Sequence, residues 1–430
     1  MNKNQLINRD IFSALHRHLS KREITMIVGP RQCGKTTVMK LLVKQLEADY
    51  KKTFFLNLDI ELDNQYLETQ EKFINKIKLE LGTSGGFVFI DEIQRKENAG
   101  IFLKGLYDMD LPYKFVVSGS GNVEIKEKIS ESLMGRKQLF DMTPITFDEF
   151  VNFKTRYKYK DGLDDFYDIE KEKVDNLLME YLNFGGYPKV TTNELLADKK
   201  DGINEVYRSY IGQDIVKWLK VEKIEAFEKL LKICAAKIGN LTEYSTLAND
   251  VNVSTETVQN YVWYLRKTFI LRKCSPYFKN KKTEIIKSPI FYFNDIGLRN
   301  NAVGKFGNIT TLSCDAGFIF ENLVFNMLHE IKQSLFFDIY FWRTKSQAEV
   351  DFVLDFGEEV IPVEVKFKSF EKPKVERSLR SFITKYNPKI AYVVSKDFSG
   401  QILIENTKVF FVPFWNLKEH LIKLSTNPTT

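Results

Sequence analysis

Ile24-Thr25-Met26-Ile27-Val28-Gly29-Pro30-Arg31-Gln32-Cys33-Gly34-Lys35-Thr36-Thr37 decides how this chain is read. A short apolar run leads without a break into GxxxxGK[ST], from Gly29 to Thr36. A glycine-containing turn between strand and helix lets main-chain N–H groups converge on phosphate oxygens, and the helix N-terminus adds positive potential. In that setting the Lys35 ammonium reaches the β and γ phosphates, and the Thr36 hydroxyl ligates Mg2+. Gly29, Pro30, Arg31, Gln32, Cys33, Gly34, Lys35, Thr36 and Thr37 are therefore the expected ATP contacts. A chance glycine turn before a helix is the alternative. The complete motif in the strand-to-helix setting favours phosphate binding.

Working outward, apolar runs at 54–58, 87–90 and 115–117, with a weaker one at 139–142, alternate with helical patterns at 35–48, 64–81 and 99–108. That alternation predicts a parallel sheet with helices on its faces. Upstream, Leu6, Ile7, Ile11, Leu15 and Leu19 predict an amphipathic helix over 5–20. The run 87–90 ends in Asp91 and Glu92. Asp91 is expected to hold Mg2+ through water, and Glu92 to orient or deprotonate the attacking water. Acidic strand ends are common, but 56 residues separate Lys35 from Asp91, room for helix, strand, helix and strand. Paired carboxylates there favour ATP hydrolysis over storage. Ser118, after the next strand, reads either as a hydroxyl near the γ-phosphate or as part of a Ser/Gly turn. Arg136 reads either as a finger for transition-state charge, reaching a neighbouring subunit, or as a surface arginine.

A length of 430 residues implies two to four domains. Hydrophobic residues at 43% and charged residues at 28% describe a soluble globular protein and exclude a disordered chain. The net charge of +6 permits a local nucleic-acid surface without arguing for one. Cys33, Cys234, Cys274 and Cys314 are too dispersed for a CxxC site, and four histidines exclude a His-rich zinc site. Cys33, inside the phosphate loop, is expected to make the protein sensitive to thiol reagents. There is no apolar stretch long enough for a membrane span and no secretory leader, so a cytoplasmic protein without a membrane partner is expected.

The second half changes character. Residues 154–173 are dense in Lys, Asp and Tyr and read as a polar linker or surface insertion. Residues 174–239 read as helical, with Gly185-Gly186-Tyr187-Pro188 ending one helix. Residues 241–250, a turn at Val251-Asn252-Val253, and 254–267 have the form of a helix-turn-helix, with Ser254 as N-cap. Its second helix would expose Thr255, Thr257, Gln259 and Asn260, and 271–277 with 284–287 would form a wing. Such modules meet DNA or serve as plain scaffold, and both readings stand. Strands are expected at 336–342, 349–356, 360–367 and 390–395, with a helix near 374–386 and a disordered tail at 425–430.

Three carboxylates punctuate that end: Glu321 on an apolar helix, Asp351 on one strand, and Glu364 with Lys366 on the next. Their order resembles the PD-(D/E)XK nuclease pattern. Carboxylates offer hard oxygen ligands for Mg2+ or Mn2+, and Lys366 would position water or neutralise developing charge. Glu349 is a substitute ligand should Asp351 point elsewhere. A solvated salt-bridging face is the alternative. His329 reads as a structural histidine.

GPRQCGKTT (29–37), FVFIDEIQ (87–94), VVSGSGN (116–122) and SLMGRKQLFDMTPITFDEF (132–150) together resemble prokaryotic AAA-type ATPases of unassigned role, in which a C-terminal domain of unknown function follows the ATPase. YLNFGGYPKV (181–190), YRSYIGQDIVK (207–217) and SPIFYFNDIGL (288–298) extend the resemblance. It implies an α/β chain with an AAA-type P-loop parallel-sheet core at 1–150, a helical lid or linker at 151–239, a winged-helix-like domain at 240–290 and a PD-(D/E)XK nuclease-like α/β domain at 291–425. The expected function is ATP hydrolysis coupled to DNA binding or cleavage. The alternative is an ATP-driven switch, binding DNA or protein through an inactive nuclease fold, with homo-oligomerisation as a further expectation.

Overall fold

The structure is a computed structural model that describes residues 6–120, 129–210, 223–278 and 288–426. Parts of two quoted motifs (121–122 and 211–217), the expected wing strand 284–287 and the end of the tail lie outside the described residues. The chain divides into two units. The first takes Met1–Phe153, Gly186–Ile224 and Val262–Ile270; the second takes Lys154–Gly185, Glu225–Tyr261 and Leu271–Thr430.

The first unit is built on β1 (Ile24–Gly29), β2 (Thr53–Asn57), β3 (Gly86–Asp91), β4 (Tyr113–Ser120) and β5 (Lys137–Asp141). All pairings are parallel, in the order β2-β3-β4-β1-β5. Strands β1 and β4 are buried at every residue, because helices cover both faces of the sheet. Alternation along β1 sends Met26 and Val28 into a core with Phe73, Ile77, Leu103 and Leu106. Ile27 goes the other way, to Leu15, Val38, Leu42 and Leu46. Helices Lys35–Ala48 and Ala99–Asp108 fall where their patterns predict.

The expected helix 64–81 is broken. One turn at Glu61–Asn64 and a 3-10 turn at Gln65–Leu67 precede the helix Gln70–Leu81. Thr69 caps that helix, its Oγ1 accepting from Lys72 N at 3.1 Å. The expected helix 5–20 shortens to Ile11–His18. Its forerunner is pinned instead by Asp10 N, which donates to Glu149 Oε1 at 2.7 Å, and by the Arg9 side chain.

The second unit holds an eight-stranded sheet in the order β12-β13-β11-β10-β9-β8-β6-β7. Its strands are β6 (Leu271–Pro276), β7 (Ile290–Phe293), β8 (Asp338–Arg343), β9 (Glu349–Asp355), β10 (Val360–Lys366), β11 (Ile390–Ser395), β12 (Gly400–Ile404) and β13 (Thr407–Pro413). Strands β8, β9 and β10 run antiparallel to their neighbours in that series, while β10, β11 and β13 run parallel. The partner of β6 is β7, antiparallel, with Cys274 opposite Ile290. Strand β6 also pairs parallel with β8 at Ser275 and Pro276. One sheet therefore runs through residue 290, where a domain boundary is expected from sequence.

Residues 154–173 are not a linker. The segment Leu163–Ile169 is helical and buries Phe166 and Tyr167, and Tyr167 packs on Trp415 with centroids 5.6 Å apart. Helix Lys171–Phe184 ends at Gly185, whose φ of +71° and 2.5 Å approach of an added Cβ to Asp295 Oδ1 require glycine. Helices Tyr244–Val251 and Thr255–Lys267 flank Asn252 in the left-handed region, and Ser254 Oγ accepts from Thr257 N at 3.1 Å as the expected cap. His329 lies in the helix Ala316–Leu335 with its ring edge-on to Phe325; burial pushes its pKa well down, as befits a packing histidine.

Candidate functional site

In the first unit the parallel strands deliver Gly29, Asp91 and Ser118–Ser120 to one edge of the sheet, with Gly29 in register with Ser120. Gly29 is required because an added Cβ would lie 2.2 Å from Met142 O, and Gly34 because its φ is +103°. Lys35 is the first residue of its helix and 4% exposed; Nζ donates to the carbonyls of Gly29 at 3.1 Å and Pro30 at 2.7 Å. Thr36 Oγ1 donates to Asp91 Oδ2 at 2.6 Å, and Ser118 Oγ donates to Asp91 Oδ1. Burial pushes the Asp91 pKa up against the pull of those two hydroxyls. Glu92 takes a left-handed backbone, φ 57°, and its N–H donates to Ser118 Oγ at 3.2 Å. The structure thus brings together Lys35, Thr36, Asp91, Glu92 and Ser118. A hydroxyl and a carboxylate side by side are suitable donors for Mg2+.

Thr37 lines a neighbouring cavity of about 230 Å3 with Leu6, Ile7, Met142 and Pro188. Gln32 turns to Glu205, with Nε2 and Oε1 3.4 Å apart. Cys33 is fully buried with Sγ against Met142 O, so the expected reactivity to thiol reagents does not follow from its place in the motif. Arg136 is also removed from the phosphate edge. Its carbonyl accepts from Ile24 N, the far end of β1, five strand steps or roughly 16 Å from Gly29. Its Nε donates to Asp108 Oδ1 at 2.7 Å. It therefore does not serve the phosphate loop of its own chain.

Nothing in the sequence pattern points to Arg9 and Glu149. Arg9 Nε donates to Glu149 Oε2 at 2.8 Å, Nη1 to Cys33 O at 2.8 Å, and Nη2 to Thr143 O at 2.7 Å. The pair ties the phosphate loop to the segment after β5. Their separation of 140 residues leaves no local pattern to read.

In the second unit the four expected residues converge from three elements. Glu321 accepts from Tyr292 OH, a β7 residue that the motif did not suggest. Asp351 Oδ2 accepts from Val365 N at 2.6 Å, and Lys366 Nζ lies 2.7 Å from Glu364 Oε1. Burial is the main reason that Glu321 is pushed up to about 8, with Glu349 and Glu364 adding to it. Asp351 and Glu364 are also pushed up, chiefly by burial, with further carboxylate repulsion. Burial pulls Lys366 down, but Glu364 and Asp351 outweigh it and hold the ammonium charged. Glu364 Oε2 is buried without a hydrogen-bond partner. Glu349 instead pairs with Arg343 at 3.2 Å.

Among the described residues no group of three or more His, Cys, Asp or Glu side chains stands in an arrangement that holds a metal. Tyr292, Val365 N and Lys366 each engage one oxygen of one carboxylate. The donor chemistry suits a hard cation, the orphan oxygen leaves one donor unspent, and the assembled cage is absent. On the helix Thr255–Lys267, Thr255, Gln259 and Asn260 are exposed, whereas Thr257 is partly covered and its hydroxyl lies 2.8 Å from Ser254 Oγ.

Residues 21–151 match an AAA domain, 175–308 a domain of unknown function (DUF8612), and 316–415 a second domain of unknown function (DUF4143). The chain thus carries an AAA-type P-loop domain. An uncharacterised protein of Methanocaldococcus jannaschii is 26% identical over 434 residues, covering 98% of this chain and 90% of the relative. One of Mycobacterium tuberculosis is 25% identical over 378 residues, covering 87% and 76%. Among solved structures, Aeropyrum pernix Orc1 in complex with DNA aligns with a TM-score of 0.35 and 12% identity over 70% of this chain and 93% of that one. AMPPCP-bound DnaA from Aquifex aeolicus aligns with a TM-score of 0.27 and 14% identity over 69% and 92%. Alignments this loose assign nothing to this chain. No helix among the described residues is long and apolar enough to cross a membrane.

Proposed function

We propose that this protein is a Mg2+-dependent ATPase of AAA type. The observation that carries this is the 2.6 Å contact of Thr36 Oγ1 with Asp91 Oδ2, beside the buried Lys35 at the loop edge of the sheet. Main-chain N–H groups of 30–36 hold the phosphates, and Lys35 exchanges its loop carbonyls for β and γ oxygens. Mg2+, when bound, withdraws charge from those oxygens; Thr36 and Asp91 are the residues that would hold it. Glu92 orients the water and takes its proton, with Ser118 fixing the Glu92 main chain. The apolar cavity at Leu6, Ile7, Met142 and Pro188 suits a planar base. Lys35→Ala is expected to lower ATP turnover at least about 100-fold. Undiminished turnover would falsify the assignment.

The second unit supports a second, coupled activity. Its hairpin of β6 and β7 beside a helix-turn-helix fits a winged helix, and Thr255, Gln259 and Asn260 offer polar contacts suited to DNA. Glu321, Asp351 and Glu364 would hold Mg2+ or Mn2+ once Lys366 gives up Glu364, and Lys366 would then face the attacking water. The orphan Glu364 Oε2 favours that reading over a purely structural platform. If the carboxylates never gather a cation, the same unit is an ATP-driven binding module for DNA or a protein. Arg136 acts as a finger only between copies, which makes a homo-oligomer part of that variant.

A further inference from the structure

Two residues beyond Glu92 lies a side chain that the motif reading left without a task. Gln94 sits in the 3-10 turn Ile93–Arg95. Its Nε2 donates to Glu92 Oε2 and, at 2.8 Å, to Ser120 Oγ. Ser120 Oγ in turn donates to Glu92 Oε2 at 3.3 Å. The three side chains close a triangle in which both amide hydrogens and the one hydroxyl hydrogen are used. Flipping the amide would set Oε1 against a carboxylate oxygen, so the network fixes its orientation. Gln94 Oε1 is consequently not a partner in the triangle; it is buried and accepts no hydrogen bond.

A buried carbonyl oxygen without a donor is costly, and such atoms call for an explanation in the working molecule. The location supplies one. Ser120 is in register with Gly29, the first residue of the phosphate loop, so the triangle stands at the end of the sheet that carries that loop. We propose that Gln94 positions the attacking water: Nε2 holds the Glu92 carboxylate, and Oε1 accepts one hydrogen of the water whose other hydrogen faces Glu92. The water oxygen then bonds to the γ-phosphorus as the bond to the β–γ bridging oxygen breaks. ADP leaves with that electron pair, and the proton goes to Glu92. The left-handed backbone of Glu92 is what brings both side chains to the same water. This inference rests on the ATPase reading and adds a residue to it.

The test is steady-state ATP turnover of the full chain, with nucleotide affinity measured separately by a fluorescent ATP analogue. Gln94→Ala and the shape-preserving Gln94→Met are expected to lower kcat by about 10–100-fold while KM and analogue affinity stay within about 2-fold. Added to Glu92→Gln, Gln94→Met is expected to cost almost nothing more, because the two groups act on one water. Unchanged kcat in a folded Gln94→Met protein overturns the proposal, and so does a full additional loss in the double variant. Loss of analogue affinity in step with kcat/KM would make Gln94 a structural residue and overturn it too. Absence of turnover in the unaltered protein, by contrast, would overturn the ATPase reading itself.

Discussion

Arg9 with Glu149 in the first unit, and Glu321 with Asp351, Glu364 and Lys366 in the second, are both buried charge clusters. The first sets one cation against one anion and spends the remaining valences: the guanidinium reaches three carbonyls, and Glu149 accepts from Asp10 N and Thr146 N. The second sets three carboxylates against one ammonium and leaves Glu364 Oε2 with nothing. The carboxylates push one another's pKa values up, whereas Arg9 pulls against the burial that raises Glu149. Balanced charge lets a site be complete as folded. An excess of one sign leaves buried carboxylates facing one another, at some cost to stability.

That contrast breaks most visibly at Glu149. Glu149→Gln strands a buried guanidinium and is expected to cost about 3–5 kcal/mol of unfolding free energy, read by urea titration. A loss below about 1 kcal/mol would mean that the carbonyls alone carry Arg9. The carboxylate cluster should respond in the opposite sense. Asp351→Asn relieves repulsion and is expected to raise the metal-free melting temperature. Mn2+ at about a hundred times its Kd should stabilise the unaltered protein by roughly 2.7 kcal/mol and leave Asp351→Asn unmoved. Equal Mn2+ shifts in both proteins would show that the cation binds elsewhere.

The smallest effect concerns a cation between these extremes. Lys114 is buried, with Nζ donating to the carbonyls of Lys21 and Glu23 and 3.4 Å from His18 Nδ1, and burial lowers its pKa to about 8. The unfolded chain therefore binds more protons than the folded one between about pH 8 and 10.5, so stability contributed by this group rises with pH across that window. Lys114→Met is expected to gain about 2 kcal/mol at pH 7, and the gain should vanish above about pH 10.5. A gain that persists at high pH would assign the effect to packing instead.

What could be read from sequence was whatever the backbone writes locally. The loop 29–36, the carboxylates ending β3 and the helices 35–48 and 99–108 are contiguous or periodic, and they stand where the pattern puts them. The Arg9–Glu149 pair, the cavity and the Glu92–Gln94–Ser120 triangle depend on side chains meeting across the fold. Residues 154–173 misled because Phe166 and Tyr167 hide among charges. Strand β13 carries a local apolar run at 409–412 that the expected strands did not include, and β12 pairs antiparallel beside it. The carboxylate cluster was legible as a set of residues and illegible as a geometry. Tyr292, which engages Glu321, arrives from a strand that the sequence assigned only to a boundary.

Strand β6 has a consequence for heredity as well as for folding. It joins β7 on one side and β8 on the other, so the hairpin next to the helix-turn-helix and the strands bearing Asp351 and Glu364 share one continuous ladder. A gene fusion or truncation at residue 290 would split a hairpin and expose β8 as a raw edge, an invitation to aggregate. The hairpin and the strands bearing Asp351 and Glu364 are thus parts of one sheet and not separable cassettes.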